Sequence, residues 1–257
     1  MKKIIFFIAA CFSLASTANE KPKVIFSMIM KNEADKLLRK VLEEVTHYID
    51  VAVIIDDGST DNSREICQEI MAQAHIPLHL ICNKESKFHN EIDLRKQQWQ
   101  EAVNVIGNHP NCWILNIDAD HIFEKRMRTE IYHLINQEQI DVWCFRLYDF
   151  WDEKHYRDDQ LWCAHNTYRS FLLRYKKNFN YLWKETPQHC GHFPMNIYNL
   201  ACGRSDMRLK HYGWANPEER IAKYFRYMKL DPEARYGSKA HYDSVLDKNP
   251  HLVEWVE

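Results

Sequence analysis

Apolar positions along the chain change period several times, and each change marks an element. Val24-Ile25-Phe26-Ser27-Met28-Ile29 is nearly continuous, the pattern of a strand covered on both faces. Leu37, Leu38, Val41, Leu42 and Val45 then recur at helical spacing and predict an amphipathic helix. Val51 to Ile55 reads as a second strand that runs into Asp56-Asp57-Gly58-Ser59-Thr60-Asp61. The helix carrying Ile66, Ile70 and Met71 comes next, with Asn62 and Glu65 placed to form a capping box. Leu78 to Cys82 predicts a short third strand, and Trp99, Ala102, Val103 and Ile106 predict one face of a third helix. Trp113 to Ile117 is a fourth strand ending in Asp118-Ala119-Asp120, and Met127, Ile131, Leu134 and Ile135 mark the helix after it.

This alternation predicts an α/β fold: a Rossmann-like, mostly parallel sheet with helices on both faces. Ligands of such sheets bind beyond the carboxyl ends of the strands. Both acidic clusters fall at those ends. Beyond residue 142 the texture changes, with 15 aromatics in the 56 positions from 143 to 198, about double the 13% of the whole chain. Helical spacing returns only at Pro217 to Met228, and no Pro/Gly/Ser linker intervenes, so residues 19–257 read as one domain with halves 19–140 and 141–257.

Three bulk features refine the picture. Lys2 and Lys3, the apolar run Ile4 to Leu14 and the small residues Ser16-Thr17-Ala18 predict a signal peptide or signal anchor over residues 1–18. That leader implies export or membrane association through the N-terminus. The net charge of -2 gives no electrostatic basis for a nucleic-acid partner. The eight cysteines show no metal-type spacing; Cys67, Cys82, Cys112 and Cys144 read as core residues, and bridges among Cys163, Cys190 and Cys202 stay open for an exported chain.

The chemistry concentrates at strand ends. Alternate residues of a strand share a side, so Asp118 and Asp120 can face one ligand and offer hard oxygens to Mg²⁺ or Mn²⁺. In the Asp56–Asp61 segment Gly58 permits a tight turn, while Asp56 and Asp57 can accept hydrogen bonds from a base or ribose.

Val-Ile-Ile-Asp-Asp-Gly-Ser-Thr-Asp-Asn-Ser, followed 61 positions later by Ile-Asp-Ala-Asp, resembles the family-two glycosyltransferases; the first strand running into Lys31-Asn32-Glu33 matches a third family element. The resemblance covers residues 23 to 135. It implies a GT-A fold, an inverting mechanism and a nucleotide-diphosphate sugar donor, with a UDP-sugar first among the candidates. The first half would hold the donor and the aromatic-rich second half, with its helical tail, the acceptor: a glycan, lipid or protein. By the same resemblance Asn32, Glu33, Asp56, Asp57, Arg95 and Asp118 would contact the donor. Asp118, Asp120 and His211, in Leu209-Lys210-His211-Tyr212-Gly213-Trp214, would hold Mn²⁺ or Mg²⁺. Inversion needs a base for the acceptor hydroxyl. The family's His-Glu pair is replaced here by His189-Cys190, so the candidates are Asp152, Glu153 and Glu185, with Glu185 the first choice of catalytic carboxylate and Asp152 the second.

Two rivals accompany this reading. A nucleotidyltransferase normally has a Gly-rich phosphate loop, and Ser27 to Asn32 contains no glycine. A secreted or inactive carbohydrate- or nucleotide-binding module on the same fold is consistent with the leader, because bacterial nucleotide sugars are cytoplasmic.

Overall fold

The computed structural model describes residues 20–257, so the predicted leader lies outside the described residues. The first half alternates as expected: β1 (Lys23–Met30), α1 (Leu38–Val45), β2 (Val51–Asp56), α2 (Ser63–Gln73), β3 (Leu78–Cys82), α3 (Glu91–Ile106), β4 (Cys112–Asn116), β5 (His121–Phe123) and α4 (Met127–Ile135). The second half supplies β6 (Val142–Asp149), β7 (His155–Arg157), β8 (Tyr168–Arg174), β9 (Cys202–His211), α5 (Pro217–Leu230), α6 (Lys239–Ser244) and β10 (Leu252–Glu254).

Eight strands form one sheet in the order β3-β2-β1-β4-β8-β6-β9-β5. The β3-β2-β1-β4 part is parallel, β8 runs antiparallel to both β4 and β6, and β9 lies parallel to β6. The short β5 pairs antiparallel with β9 at the edge, with His121 opposite His211. A separate antiparallel pair, β10 with β7, packs the end of the chain onto the second half.

The two-residue period of the strands builds a core on each face. Val24, Phe26, Met28 and Met30 of β1 pack with Leu38, Val41 and Leu42 of α1 and with Ile70 and Met71 of α2. Ile25 of β1 and Val53 of β2 instead meet Ala102 and Ile106 of α3. Burial of each such aliphatic side chain contributes roughly 1.5–3 kcal/mol. This double covering explains why β1 and β2 read as continuous apolar runs.

Local expectations differ from the structure at three places. The capping box does not form: Asn62 makes no capping hydrogen bond at α2, and Asp61 Oδ1 accepts instead from the Ser63 backbone N–H at 3.1 Å. Cys82 is exposed, because β3 is the outermost strand of the parallel part. The seven cysteines among the described residues are all free thiols, and Cys190 is buried, so the bridges left open among Cys163, Cys190 and Cys202 are not made.

Candidate functional site

The carboxyl ends of the parallel strands open into a cavity of about 1070 Å³. Its walls come from the segment after β1, the start of α3, the stretch around His189 and His192, and the chain from His211 through α5. Asp118 and Asp120 line it just beyond β4.

The segment after β1 is held by the segment after β2. Asn32 adopts a left-handed conformation at φ 53° and accepts from the Thr60 N–H at 2.8 Å, while its own N–H donates to Ser59 Oγ at 2.9 Å. The Glu33 N–H donates to Ser63 Oγ at 2.8 Å, and the Ala34 N–H donates to Asp61 Oδ2 at 3.0 Å. The polar residues after Gly58 therefore serve first as a brace for the cavity wall. Gly58 itself sits at φ 79°, a conformation that favours glycine.

Asp56 and Asp57 are fully buried and do not line the cavity. Asp56 accepts from Arg64 Nε at 2.5 Å and from the Ser59 N–H at 3.1 Å. Asp57 accepts from Asn83 Nδ2 at 2.9 Å, from Ser86 Oγ at 2.6 Å and from the Lys87 N–H at 2.8 and 3.0 Å. Buried carboxylates require such partners. Both oxygens of Asp57 thus accept hydrogen bonds from the loop at residues 83–87. Asn32 is likewise absent from the lining, whereas Glu33 is present. Burial raises the Glu33 carboxyl to about 7, with Lys36, at 3.1 Å, only partly opposing the shift.

Arg95 lines the cavity but is buried, held by Glu91 at 3.3 Å and donating to Asp118 Oδ1 at 3.2 Å. The other oxygen of Asp118 meets His192 Nε2 at 3.1 Å. Burial opposes the Asp118 charge, yet Arg95 and His192 hold its pKa well below the ordinary value. His121 is pushed down to about 3, by burial first and by His211 next, and is therefore neutral. Its Nδ1 accepts the Asp118 backbone N–H at 3.2 Å, which leaves the ring proton on Nε2, toward Asp120.

Asp120 is differently placed. Its nearest nitrogen neighbours are His211 Nε2 at 3.6 Å, Lys223 Nζ at 3.7 Å and His121 Nε2 at 3.8 Å, a ring of polar atoms around a gap. His211 Nδ1 bonds Asp149 Oδ1 at 2.7 Å. Burial alone would lower the His211 pKa, but Asp120 and Asp149 outweigh it and raise it to about 9. The carboxylate on Nδ1 directs Nε2 at the gap, an orientation that metal-ligating histidines share. Gly213 completes the cradle: a Cβ there would overlap His211 Nε2 and stand 2.5 Å from Asp120 Oδ2 and Lys223 Nζ. An acidic oxygen and an imidazole nitrogen, once an ion displaces the proton that Asp120 and Asp149 favour on it, are a donor set suited to Mn²⁺, so the residues present fit a divalent ion. Of the three expected ligands, Asp120 and His211 share this gap, while Asp118 groups with His192 and His121.

The two expected catalytic carboxylates are not brought to the cavity. Glu185 is exposed and held by Lys96 Nζ at 2.7 Å. Asp152 accepts from the backbone N–H groups of Lys154 and His155 at 2.7 and 2.8 Å, and its neighbour Glu153 lines the cavity instead. The site also uses Asp149, His192, Gly213 and Lys223, which carried no prediction. Asp149 had a readable signal, since it is a third acid ending an apolar strand. His192 had none, because its partner is 74 positions away.

Comparison with known proteins agrees with this architecture. The family model described as glycosyl transferase family 2 matches residues 26–201. An uncharacterized protein of Mycobacterium tuberculosis is 24% identical over 233 residues, covering 86% of this chain and 54% of the relative. The chain thus spans about half the length of the curated relatives it matches first. An uncharacterized glycosyltransferase of Rickettsia felis is 27% identical over 119 residues, 46% of this chain and 36% of that protein. Among solved structures, residues 1–349 of S. aureus TarS in complex with UDP superpose with a TM-score of 0.52 at 15% identity, covering 87% of this chain and 69% of that one. That likeness establishes the GT-A type of fold.

Proposed function

The chain belongs to glycosyl transferase family 2, and on that premise we propose that it transfers a sugar, with inversion, from a nucleotide-diphosphate sugar to an acceptor hydroxyl in a divalent-metal-dependent reaction. The observation that carries this reading is the gap between Asp120 and His211, roofed by Gly213, at the open end of a parallel sheet. Asp120 and His211 would hold Mn²⁺ or Mg²⁺, with Asp118 beside them. When bound, such an ion neutralises charge developing on a departing diphosphate. Lys223 and Arg226, which also line the cavity, are placed to add positive charge for the same leaving group.

A uridine nucleotide is the first donor to test, because a fold neighbour binds UDP. Asp57 acts in this reading as a positioning residue that fixes the 83–87 loop, and Arg95 as the group that orients Asp118. The acceptor is a hydroxyl of a glycan, lipid or protein.

Nucleotide release from UDP-, GDP-, CMP- and dTDP-sugars, measured with and without Mn²⁺, tests the proposal. Release should require the metal, and a chelator should abolish it. Full release in a metal-free preparation would remove the role given to Asp120 and His211. Metal-dependent UDP binding without turnover of any donor would favour the alternative of a nucleotide-binding module.

A further inference from the structure

Glu185 and Asp152 do not line the cavity, and a different basic group stands at its wall. His189 lines the cavity in a left-handed backbone conformation, at φ 54°, which costs of order 1–3 kcal/mol for a residue other than glycine. Three contacts hold it there. Its N–H donates to Glu91 Oε2 at 2.9 Å, its carbonyl accepts from Lys184 Nζ at 3.2 Å, and its ring Nε2 lies 3.2 Å from the Tyr242 hydroxyl.

The Tyr242 contact decides which ring nitrogen is basic. Tyr242 is buried, and its hydroxyl donates to Asp231 Oδ2 at 3.0 Å. Asp231 is itself buried and also accepts from the Arg235 and Tyr236 N–H groups at 2.7 and 3.0 Å. A carboxylate only accepts, so the single hydroxyl proton of Tyr242 is spent on Asp231. The Tyr242 oxygen must then accept from His189, which puts the imidazole proton on Nε2. Nδ1 is left with its lone pair and has no hydrogen-bond partner among the described residues. The arrangement is built in: a Cβ at Gly237 would overlap the Tyr242 hydroxyl, and the Tyr242 ring stacks on Tyr227 with centroids 5.0 Å apart. Asp231 follows the last turn of α5, where the helix dipole disfavours a negative charge, so capping that helix is not what calls for an acid there.

We propose that His189 is the general base for the acceptor hydroxyl, with Tyr242 and Asp231 as positioning residues that fix its tautomer; this rests on the transfer reading above. The acceptor oxygen forms a bond to the anomeric carbon as the bond from that carbon to the diphosphate oxygen breaks, and that electron pair leaves with the nucleoside diphosphate. The hydroxyl proton passes to His189 Nδ1. The resulting imidazolium keeps its Nε2–H on Tyr242 and is stabilised through it by the Asp231 charge.

The test uses the full chain with Mn²⁺, UDP, and the donors UDP-glucose and UDP-N-acetylglucosamine, with UDP release as readout. His189→Gly suits the left-handed backbone and removes only the ring. Turnover should fall about 10²–10⁴-fold while UDP affinity stays within about threefold, because a base acts in the transition state. Added imidazole should restore part of the loss. Independently of turnover, nitrogen-15 imidazole NMR should find neutral His189 with its proton on Nε2, and Tyr242→Phe should mix the two tautomers. A proton on Nδ1, near-normal turnover of His189→Gly, or a loss that imidazole does not relieve would overturn the assignment. A wild-type chain that neither binds UDP nor releases it from either donor, and that releases no nucleotide from GDP-, CMP- or dTDP-sugars, would overturn the transfer reading and the base together. An active wild type with an active His189→Gly would overturn the base alone.

Discussion

A single methyl group at position 213 would fill the space between the imidazole of His211 and the carboxylate of Asp120. Gly213→Ala should therefore weaken Mn²⁺ binding by at least about tenfold, in the range seen when groups around a metal are disturbed. Titration followed by electron paramagnetic resonance would measure it, and unchanged affinity would mean the ion binds elsewhere. Glu33 allows a pH experiment. Its carboxyl is raised to about 7, burial being the main cause and Lys36, Asp120 and Glu219 the charges facing it. A raised folded pKa favours the protonated form, so this residue supports the fold at low pH and its support is lost as pH rises from about 4.5 through about 7. Glu33→Gln should be more stable than the wild type at pH 8, by about 3 kcal/mol, and the difference should vanish by about pH 4. Equal melting temperatures at both pH values would refute the burial argument.

At the scale of elements, loops are built as braces between strand ends. The Asp57 carboxylate gathers donors from Asn83, Ser86 and Lys87, all after the next strand. Asp57→Ala would remove the partner of three part-buried donors, at a cost of about 0.5–1.5 kcal/mol for each hydrogen bond lost. The melting temperature should drop by several degrees, and the 83–87 segment should lose hydrogen-exchange protection before the rest of the fold. If exchange there stays slow while UDP binding is lost, Asp57 contacts the nucleotide directly. This arrangement explains what the sequence left unreadable. The period-two and helical patterns placed the strands and helices from β1 to α4, apart from the three-residue β5, because each buries a face against its neighbours. The acidic strand ends likewise located the cavity. Which oxygen faces the cavity and which faces a loop depends on partners many positions away. Asp118 and Asp120 differ in this respect despite being two residues apart. The surroundings of Glu185 were unreadable for the same reason: its place in the right segment said nothing of Lys96, which holds it 89 positions away in sequence.

The whole molecule joins two unlike halves through one sheet. The first half is a conventional alternation, while the second contributes strands that reverse direction and an aromatic layer around Arg157. That guanidinium packs against both Trp151 and Trp162, 4.7 and 5.1 Å from the ring centroids, and bonds Asp159 and Asp247 at 2.6 and 2.7 Å. It ties β7 to the segment after α6. Cation–π contacts of this desolvated kind contribute about 2 kcal/mol, and an unpaired buried charge costs more. Arg157→Met should lower the melting temperature and loosen α6, which carries Tyr242; limited proteolysis should then cut first after residue 231, whereas cleavage elsewhere would show that α6 is held to β7 by other contacts.

The pairing of His121 with His211 across β5 and β9 has a consequence for the order of events during synthesis. Asp120 leaves the ribosome about ninety residues ahead of His211, and nothing but the closure of that long loop brings them together. Long closures are slow, because their entropic cost precedes the contacts that reward it. A nascent chain stalled at about residue 200 can already lay down β1 to β4, yet has no cradle. A metal held by Asp120 and His211, as proposed, could not act as a template for the early sheet; it would only lock a topology already complete.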